Sequence, residues 1–325
     1  MENKLNEGVE LLAKYITKRI GYAILTVFFL TAFTFFMMQM LPGDPFIGDK
    51  AISPATMAAL NEKYGLDKPV WQQFLIYIGN ALKGDLGLSI KYNRPVTRII
   101  GDSFPYSCEL GLRSLIIATV VGIVLGTIAA IKRSTHWDTG AMTLAIIGVS
   151  VPSFIVGAVL QYLLSIKLRQ WFGIDFFPVT GWKTEAAKIL PAIALSFASM
   201  ATVARLMRTS MLDVLGSDYI KTARAKGLSN GKIVWRHAIR NAIMPVVTVL
   251  GPTAAALMTG AFVVENIFAI PGMGKFFVLA IKEQDFTLIA GTTLFYGVFL
   301  VVATLIVDIL YGLIDPRVNL AQTKE

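Results

Sequence analysis

Six stretches of this chain contain no Asp, Glu, Lys or Arg: Ile20–Gly43, Ser114–Ile131, Thr139–Ile166, Ile189–Ala204, Asn241–Val264 and Phe286–Val307. A helix needs about 20 apolar residues to cross a hydrocarbon core of about 30 Å, and in lipid every backbone amide must find its partner inside the protein. Runs of this length and spacing therefore predict an all-α integral membrane protein with six transmembrane helices. The fourth run has 16 residues, a rise of only about 24 Å. Leu206 and Met207 extend it past Arg205, whose guanidinium can snorkel to the headgroups. A soluble bundle is excluded because its helices need polar faces toward water. Only 16% of this chain is charged, against about 25% in soluble domains.

The first run is read as a retained span. Its apolar core continues through "TAFTFFMMQM", beyond the 7–15 residues of a typical signal peptide, and "MMQMLPGDP" offers no small-x-small cleavage site. Orientation follows from Lys and Arg near the span ends. The N-terminal arm carries Lys4, Lys14, Lys18 and Arg19, the second-to-third loop is "KRSTHWD", and eight basic residues lie between Arg205 and Arg240. Both termini are expected to be cytoplasmic. The net charge of +9 follows this topology and calls for no nucleic-acid partner. Cys108 is the single cysteine, and the two histidines, His136 and His237, lie far apart, which argues against a disulfide or a zinc site.

The organisation predicted along the chain is as follows. Residues 1–19 form an amphipathic cytoplasmic arm lying along the membrane surface, with Leu5, Val9, Leu12 and Ile16 at helical spacing. Residues 20–43 form the first span, and 44–113 an external cap loop. That loop holds one helix between Ser53 and Gly65 and a second from Trp71 to Leu82 stopped by Gly84. The core, 114–315, has spans at 114–131, 139–166, 189–207, 241–264 and 286–307, with a cytoplasmic loop at 205–240; a cytoplasmic tail, 308–325, follows. Pro152 interrupts the third span, and Pro245 and Pro252 the fifth, which suggests cavity-lining breaks. Small residues in "VVGIVLGTIAA" allow close helix approach. Glu265 and Asp308 stand at span ends and are read as interfacial. With no charge deep in a span, a proton- or sodium-driven carrier is disfavoured.

The cytoplasmic stretch "SDYIKTARAKGLSNGKIVWRHAIRNAIMP" has more shape than lipid attraction requires. Ser217 is a suitable N-cap and Asp218 complements the helix dipole. Gly227 can adopt the left-handed conformation that ends a helix. Ser229 or Asn230 then caps a second helix leading into the fifth span. A helix of about nine residues is not stable alone in water, so it is expected to be held in place and to serve as a docking element.

These residues resemble the "EAA" loop of ABC-importer permeases, with Lys221-Thr222-Ala223 at the place of Glu-Ala-Ala and Gly227 at the glycine. Arg240 stands where other members have a proline. "LPGDPF", "YGLDKPVWQQF", "GDLGLSIKYNRPV", "SFPYSCELGL", "GVSVPSF", "FVVENIFAIPGMGKFF" and "DILYGLIDPRV" extend the likeness over nearly the whole chain, to the oligopeptide, dipeptide and nickel group. The chain resembles in particular the B-type membrane subunit of oligopeptide importers. The resemblance implies a type I ABC-importer permease fold in a bacterial cytoplasmic membrane. It implies a homologous second permease as heterodimer partner, two cytoplasmic ABC ATPase subunits carrying ATP and Mg, an external solute-binding protein and a peptide substrate. Dipeptides, nickel or another peptide-like solute are the alternative cargo.

The coupling helix it implies comprises Asp218, Tyr219, Lys221, Thr222, Ala223, Arg224, Ala225, Lys226 and Gly227. Ser150, Pro152, Ser153, Thr253, Met258 and Thr259 are the candidate pathway residues, being polar, small or adaptable near span breaks. The chain itself carries no cofactor and no catalytic residue: Gly231-Lys232 and Gly274-Lys275 lack the upstream Gly and following Ser or Thr of a phosphate-binding loop. A stand-alone channel or secondary carrier, an intramembrane hydrolase and a passive scaffold are the rival readings.

Overall fold

In the computed structural model the described residues are 2–40 and 67–314, with side chains described for 17–40 and 67–306. The proposed helix between Ser53 and Gly65 and the tail beyond 314 lie outside them. The described residues are almost entirely helical: α1 (Glu2–Gln39), α2 (Val70–Ala81), α3 (Val96–Ile131), α4 (His136–Ser150), α5 (Ser153–Phe172), α6 (Glu185–Gly216), α7 (Asp218–Ala225), α8 (Asn230–Ala242), α9 (Met244–Met258), α10 (Phe262–Ile267), α11 (Gly274–Lys282) and α12 (Phe286–Ile314). Helices α1, α3, α6 and α12 are long and apolar enough to cross a membrane singly. The pairs α4–α5, bent by 109°, and α8–α9, bent by 51°, raise the number to six if each is one broken span.

The charge-free runs locate these helices but not their ends. The second run, from Ser114, is the interior of α3, which begins at Val96 inside what composition assigned to the external loop. The fourth lies within α6, which continues to Gly216. Residues 2–19 are continuous with the first span in α1, so no turn separates arm from span. Helix α2 lies where its pattern predicted, with Gly84 at φ 82° beyond its end. Pro152 sits at the sharp α4–α5 bend, as N-cap of α5. Pro245 is in the first turn of α9, where a missing N–H costs nothing. Pro252, Pro105 and Pro191 lie inside continuous helices.

The chain divides into two compact units, one of residues 1–105 and 273–325, the other of 106–272. In the first, a core of Met38, Val96, Ile99, Ile100, Met273 and Leu288 is flanked by aromatic side chains including Phe104 and Phe295, whose rings meet edge-on at 4.8 Å. Asp285, 1% exposed, ties the residue 84–95 loop to α12. Its carboxylate accepts from the Ser89 hydroxyl, from the backbone N–H of Ile90 (3.2 Å) and Lys91 (3.0 Å), and from Leu288 N–H (3.1 Å) as the α12 N-cap. Tyr92 lies beside this carboxylate; burial first, then the charges of Glu283 and Asp285, push its phenol pKa upward.

In the second unit α6 is the central helix. One cluster joins Leu110, Leu190, Leu195, Leu257 and Phe268; another joins Val203, Met207, Met211, Ala242 and Val246. The glycines of "VVGIVLGTIAA" serve close approach as their size suggests. A Cβ on Gly126 would lie 2.4 Å from the Ala204 carbonyl oxygen, and one on Gly122 2.7 Å from Val203 Cγ1. No side chain larger than hydrogen fits without moving α6.

Asp285→Ala strips four donors of their acceptor. The expected cost is about 3 kcal/mol, read as a lowered unfolding midpoint of the detergent-solubilised protein, with Asp285→Asn falling between it and the wild type.

Candidate functional site

The stretch from Ser217 to Gly227 folds as a short helix clamped at both ends and seated on a small core of its own. Ser217 has the extended backbone of an N-cap (φ −70°, ψ 155°), but its hydroxyl donates back to the Val214 carbonyl at 2.6 Å instead of accepting from α7. The residue thus ends α6 and starts α7 without the side-chain cap its type suggested. Asp218 in the first turn complements the dipole and pairs with Lys221 at 2.8 Å. At the other end Gly227 has φ 75°; its N–H donates to the Arg224 carbonyl (2.9 Å), and Leu228 N–H donates to the Ala223 carbonyl (3.2 Å). That pair of bonds is a Schellman closure. Leu228 also packs back toward Ala223, the apolar contact that accompanies such a closure.

Two residues of α7 are buried, Ile220 (0% exposed) and Ala223 (9%). They pack with Ile233 of α8, Val214 near the end of α6, and Leu228. This contact supplies the stability that eight helical residues lack by themselves. Because Val214 and Ile233 lie on different helices, α7 is packed against both α6 and α8. The remaining residues (Asp218, Tyr219, Lys221, Thr222, Arg224, Ala225, Lys226 and Gly227) are exposed, so the helix presents a charged, mostly basic face. Tyr219 OH accepts from Asn241 Nδ2 at 3.2 Å. Trp235 on α8 is 74% exposed. From Ile233 to Ala238, α8 is wound as a π-helix, a form often met where a helix carries function.

The candidate pathway residues do not form one cluster in these contacts. Ser150 and Pro152 flank the α4–α5 bend and are exposed, while Ser153, Thr253, Met258 and Thr259 are half-buried. Thr253 and Thr259 spend their hydroxyl protons on carbonyls of their own helix, those of Val249 (2.7 Å) and Ala256 (2.9 Å). Each hydroxyl oxygen is left with its lone pairs as acceptors.

Three polar groupings had no signal in the charge-free runs. Asp138, 6% exposed, holds Arg208 of α6 through two bonds, at 2.6 Å to Nε and 2.8 Å to Nη2, and accepts from Ser134 N–H. Neither residue carries a local pattern in sequence; the fold pairs the buried Asp138 with the half-buried Arg208. Glu109 accepts from Arg113 (2.8 Å), Lys188 (2.9 Å) and the Trp182 indole (2.9 Å), and Glu185 pairs with both cations. Glu265, at the end of a charge-free run, is 1% exposed. It accepts from the Ser107 hydroxyl at 2.7 Å, and a Cβ on Gly272 would lie 2.4 Å from its Oε2. The residue 261–272 segment is wrapped around this carboxylate.

Breaking the Asp138–Arg208 clamp by Arg208→Met leaves a buried carboxylate, at an expected cost of about 3 kcal/mol. The paired change Asp138→Leu with Arg208→Met should recover most of it in thermal unfolding.

This chain resembles known proteins along most of its length. It matches the family "Binding-protein-dependent transport system inner membrane component" over residues 122–320, and that family's N-terminal component over residues 12–111. It is 44% identical over 310 residues to the dipeptide transport system permease protein DppB of Lactococcus lactis subsp. cremoris, covering 95% of this chain and all of the relative. The Bacillus subtilis DppB is 43% identical, covering 95% of this chain and 99% of the relative. The oligopeptide transport system permease protein OppB of Haemophilus influenzae is 40% identical, covering 94% and 99%. The chain belongs to the binding-protein-dependent transport inner-membrane component family: it is a membrane-embedded, non-catalytic permease component.

Proposed function

We propose that this member of the binding-protein-dependent permease family is the transmembrane subunit of an ATP-driven importer that moves peptides inward across a bacterial cytoplasmic membrane by alternating access. The observation that carries the transport reading is α7, a helix too short to stand alone that is clamped onto two span-leading helices with its basic face free. The peptide reading draws on relatives of nearly equal length named for peptide transport.

In this reading α7 docks on a cytoplasmic ABC ATPase, which holds ATP and Mg, with a second ATPase serving a homologous partner permease. Both termini of this chain are cytoplasmic, in keeping with the basic residues of the arm and of the 205–240 loop. Closure of the ATPase pair drags α7, and the shared seat of Val214 and Ile233 passes the motion to α6 and to the α8–α9 pair. The breaks at Pro152 and Ile243 are where spans can change angle. Ser150, Pro152, Ser153, Thr253, Met258 and Thr259 line the route, completed by the partner permease, and an external binding protein delivers the peptide.

A second reading concerns cargo length. Motifs such as "FFMMQMLPGDPFIGD" favour oligopeptides, while the relatives named for dipeptide systems are 44% and 43% identical against 40% for the oligopeptide one. Competition for uptake between a labelled dipeptide and unlabelled pentapeptides decides between them. Effective competition supports oligopeptide cargo; its absence supports dipeptides.

The docking role is tested at Gly227. A Cβ there meets nothing within 4 Å, so substitution acts only through φ 75°. Gly227→Val costs about 1–2 kcal/mol in the left-handed region, which Asn tolerates far better. In the assembled transporter Gly227→Val should lower peptide uptake and peptide-stimulated ATP hydrolysis together, with Gly227→Asn near wild type. Equal, unimpaired uptake in both would overturn the role of α7.

A further inference from the structure

The first compact unit contains a groove that no step of the transport cycle described above uses. It has a volume of about 620 Å³ and runs between α1, the end of α2 and α12. Ile20, Ile24, Val27 and Phe28 form one wall, Leu294, Val298 and Val302 the other. Ala81, Leu82 and Gly84 close one side; Leu82 is 85% exposed, so the groove opens outward. Thr31 lies on the floor, 2% exposed, but its hydroxyl donates to the Val27 carbonyl at 2.7 Å and presents its methyl. Thr97 of α3 adds one exposed hydroxyl to an otherwise apolar lining.

Its length and its ends are what name an occupant. From Ile20 to Thr31 along α1, or Leu294 to Leu305 along α12, the helix rise is about 16 Å. One leaflet of a hydrocarbon core is about 15 Å, half of the whole. A second depression of about 430 Å³ shares Ala23, Val301 and Leu305 with the groove and is walled by Arg19, Tyr22, Thr26 and Thr304. Chemistry therefore changes from apolar to cationic and hydroxyl-bearing at the N-terminal end of α1, where Lys18 also stands, 5.7 Å over the Tyr22 ring. An extended peptide segment would need hydrogen-bonding partners that the apolar wall does not offer. A lipid tail needs none, and a phosphate suits Arg19 and Lys18.

We propose that this groove is a binding site for one anionic glycerophospholipid of the leaflet nearest the α1 N-terminus, with an acyl chain along α1 and α12 and the phosphate at Arg19 and Lys18. The site requires only that the chain is membrane-embedded and does not depend on the cargo or on the docking role of α7.

The test uses the assembled transporter in nanodiscs of equal parts phosphatidylglycerol and phosphatidylethanolamine, released and weighed by native mass spectrometry. Wild type should retain phosphatidylglycerol in preference to phosphatidylethanolamine. Ala81→Trp, which fills the groove from its side wall, should lose the retained lipid at least several-fold. Arg19→Gln combined with Lys18→Gln should keep a lipid but lose the preference for phosphatidylglycerol. Each variant is confirmed as folded by co-elution with its partner subunits; if Ala81→Trp does not assemble, Val298→Trp from the opposite wall replaces it. Unchanged lipid retention in the filled groove, unchanged preference in the charge variant, or a density map with a segment of another subunit in the groove would each overturn the proposal.

Discussion

The seating of Ile220 and Ala223 on Ile233, Val214 and Leu228 is the contact on which the functional account depends. Without it the residues 218–225 would be a basic peptide on a lipid surface, because a helix of that length does not persist in water. With it they are a rigid handle. Burial of one Ile and one Ala is a small contact, yet it closes the loop between α6 and α8, and the Schellman turn at Gly227 removes the remaining freedom at the far end. Rigidity here is what distinguishes a docking element from a positive-inside loop.

The same logic of few polar contacts in an apolar setting recurs elsewhere. Asp285 gathers four donors to hold a loop against α12, the Asp138–Arg208 pair fixes α4 to α6, and Glu265 organises the segment that returns from α9. Each is a buried carboxylate satisfied by fixed geometry; the Asp138–Arg208 ion pair specifies one arrangement while adding little net stability. Glycines do the complementary work along α3, where Gly122 and Gly126 bring α6 into backbone contact. These contacts fix each helix against its neighbour.

Much of this was legible in the amino-acid order. The apolar runs report where a chain meets hydrocarbon and locate the long helices; of the three prolines expected at breaks, Pro152 lies at one and Pro245 just after one, while Pro252 stays inside α9. Gly84 and Gly227 were readable as helix stops because only glycine takes a positive φ without strain, and both have it. Helix ends were not readable: α3 and α6 run well past their apolar runs into charged residues, since helix and hydrocarbon need not end together. The Ser217 hydroxyl departs from the capping role its type predicts because it can turn to either neighbouring helix, and here the Val214 carbonyl wins. Asp138, Arg208, Glu109 and Glu265 escaped because their partners lie 70, 79 or 158 residues away, and opposite charges in separate segments carry no local pattern.

The central claim, that α7 presents its exposed face to a protein motor, is tested most directly by a photo-reactive amino acid at Thr222, which is exposed midway along the helix. In the complete transporter in native membranes, illumination should yield an adduct with an ATPase subunit that weakens or shifts when ATP is supplied. Adducts to phospholipid alone, with the ATPase present and assembled, would contradict the account.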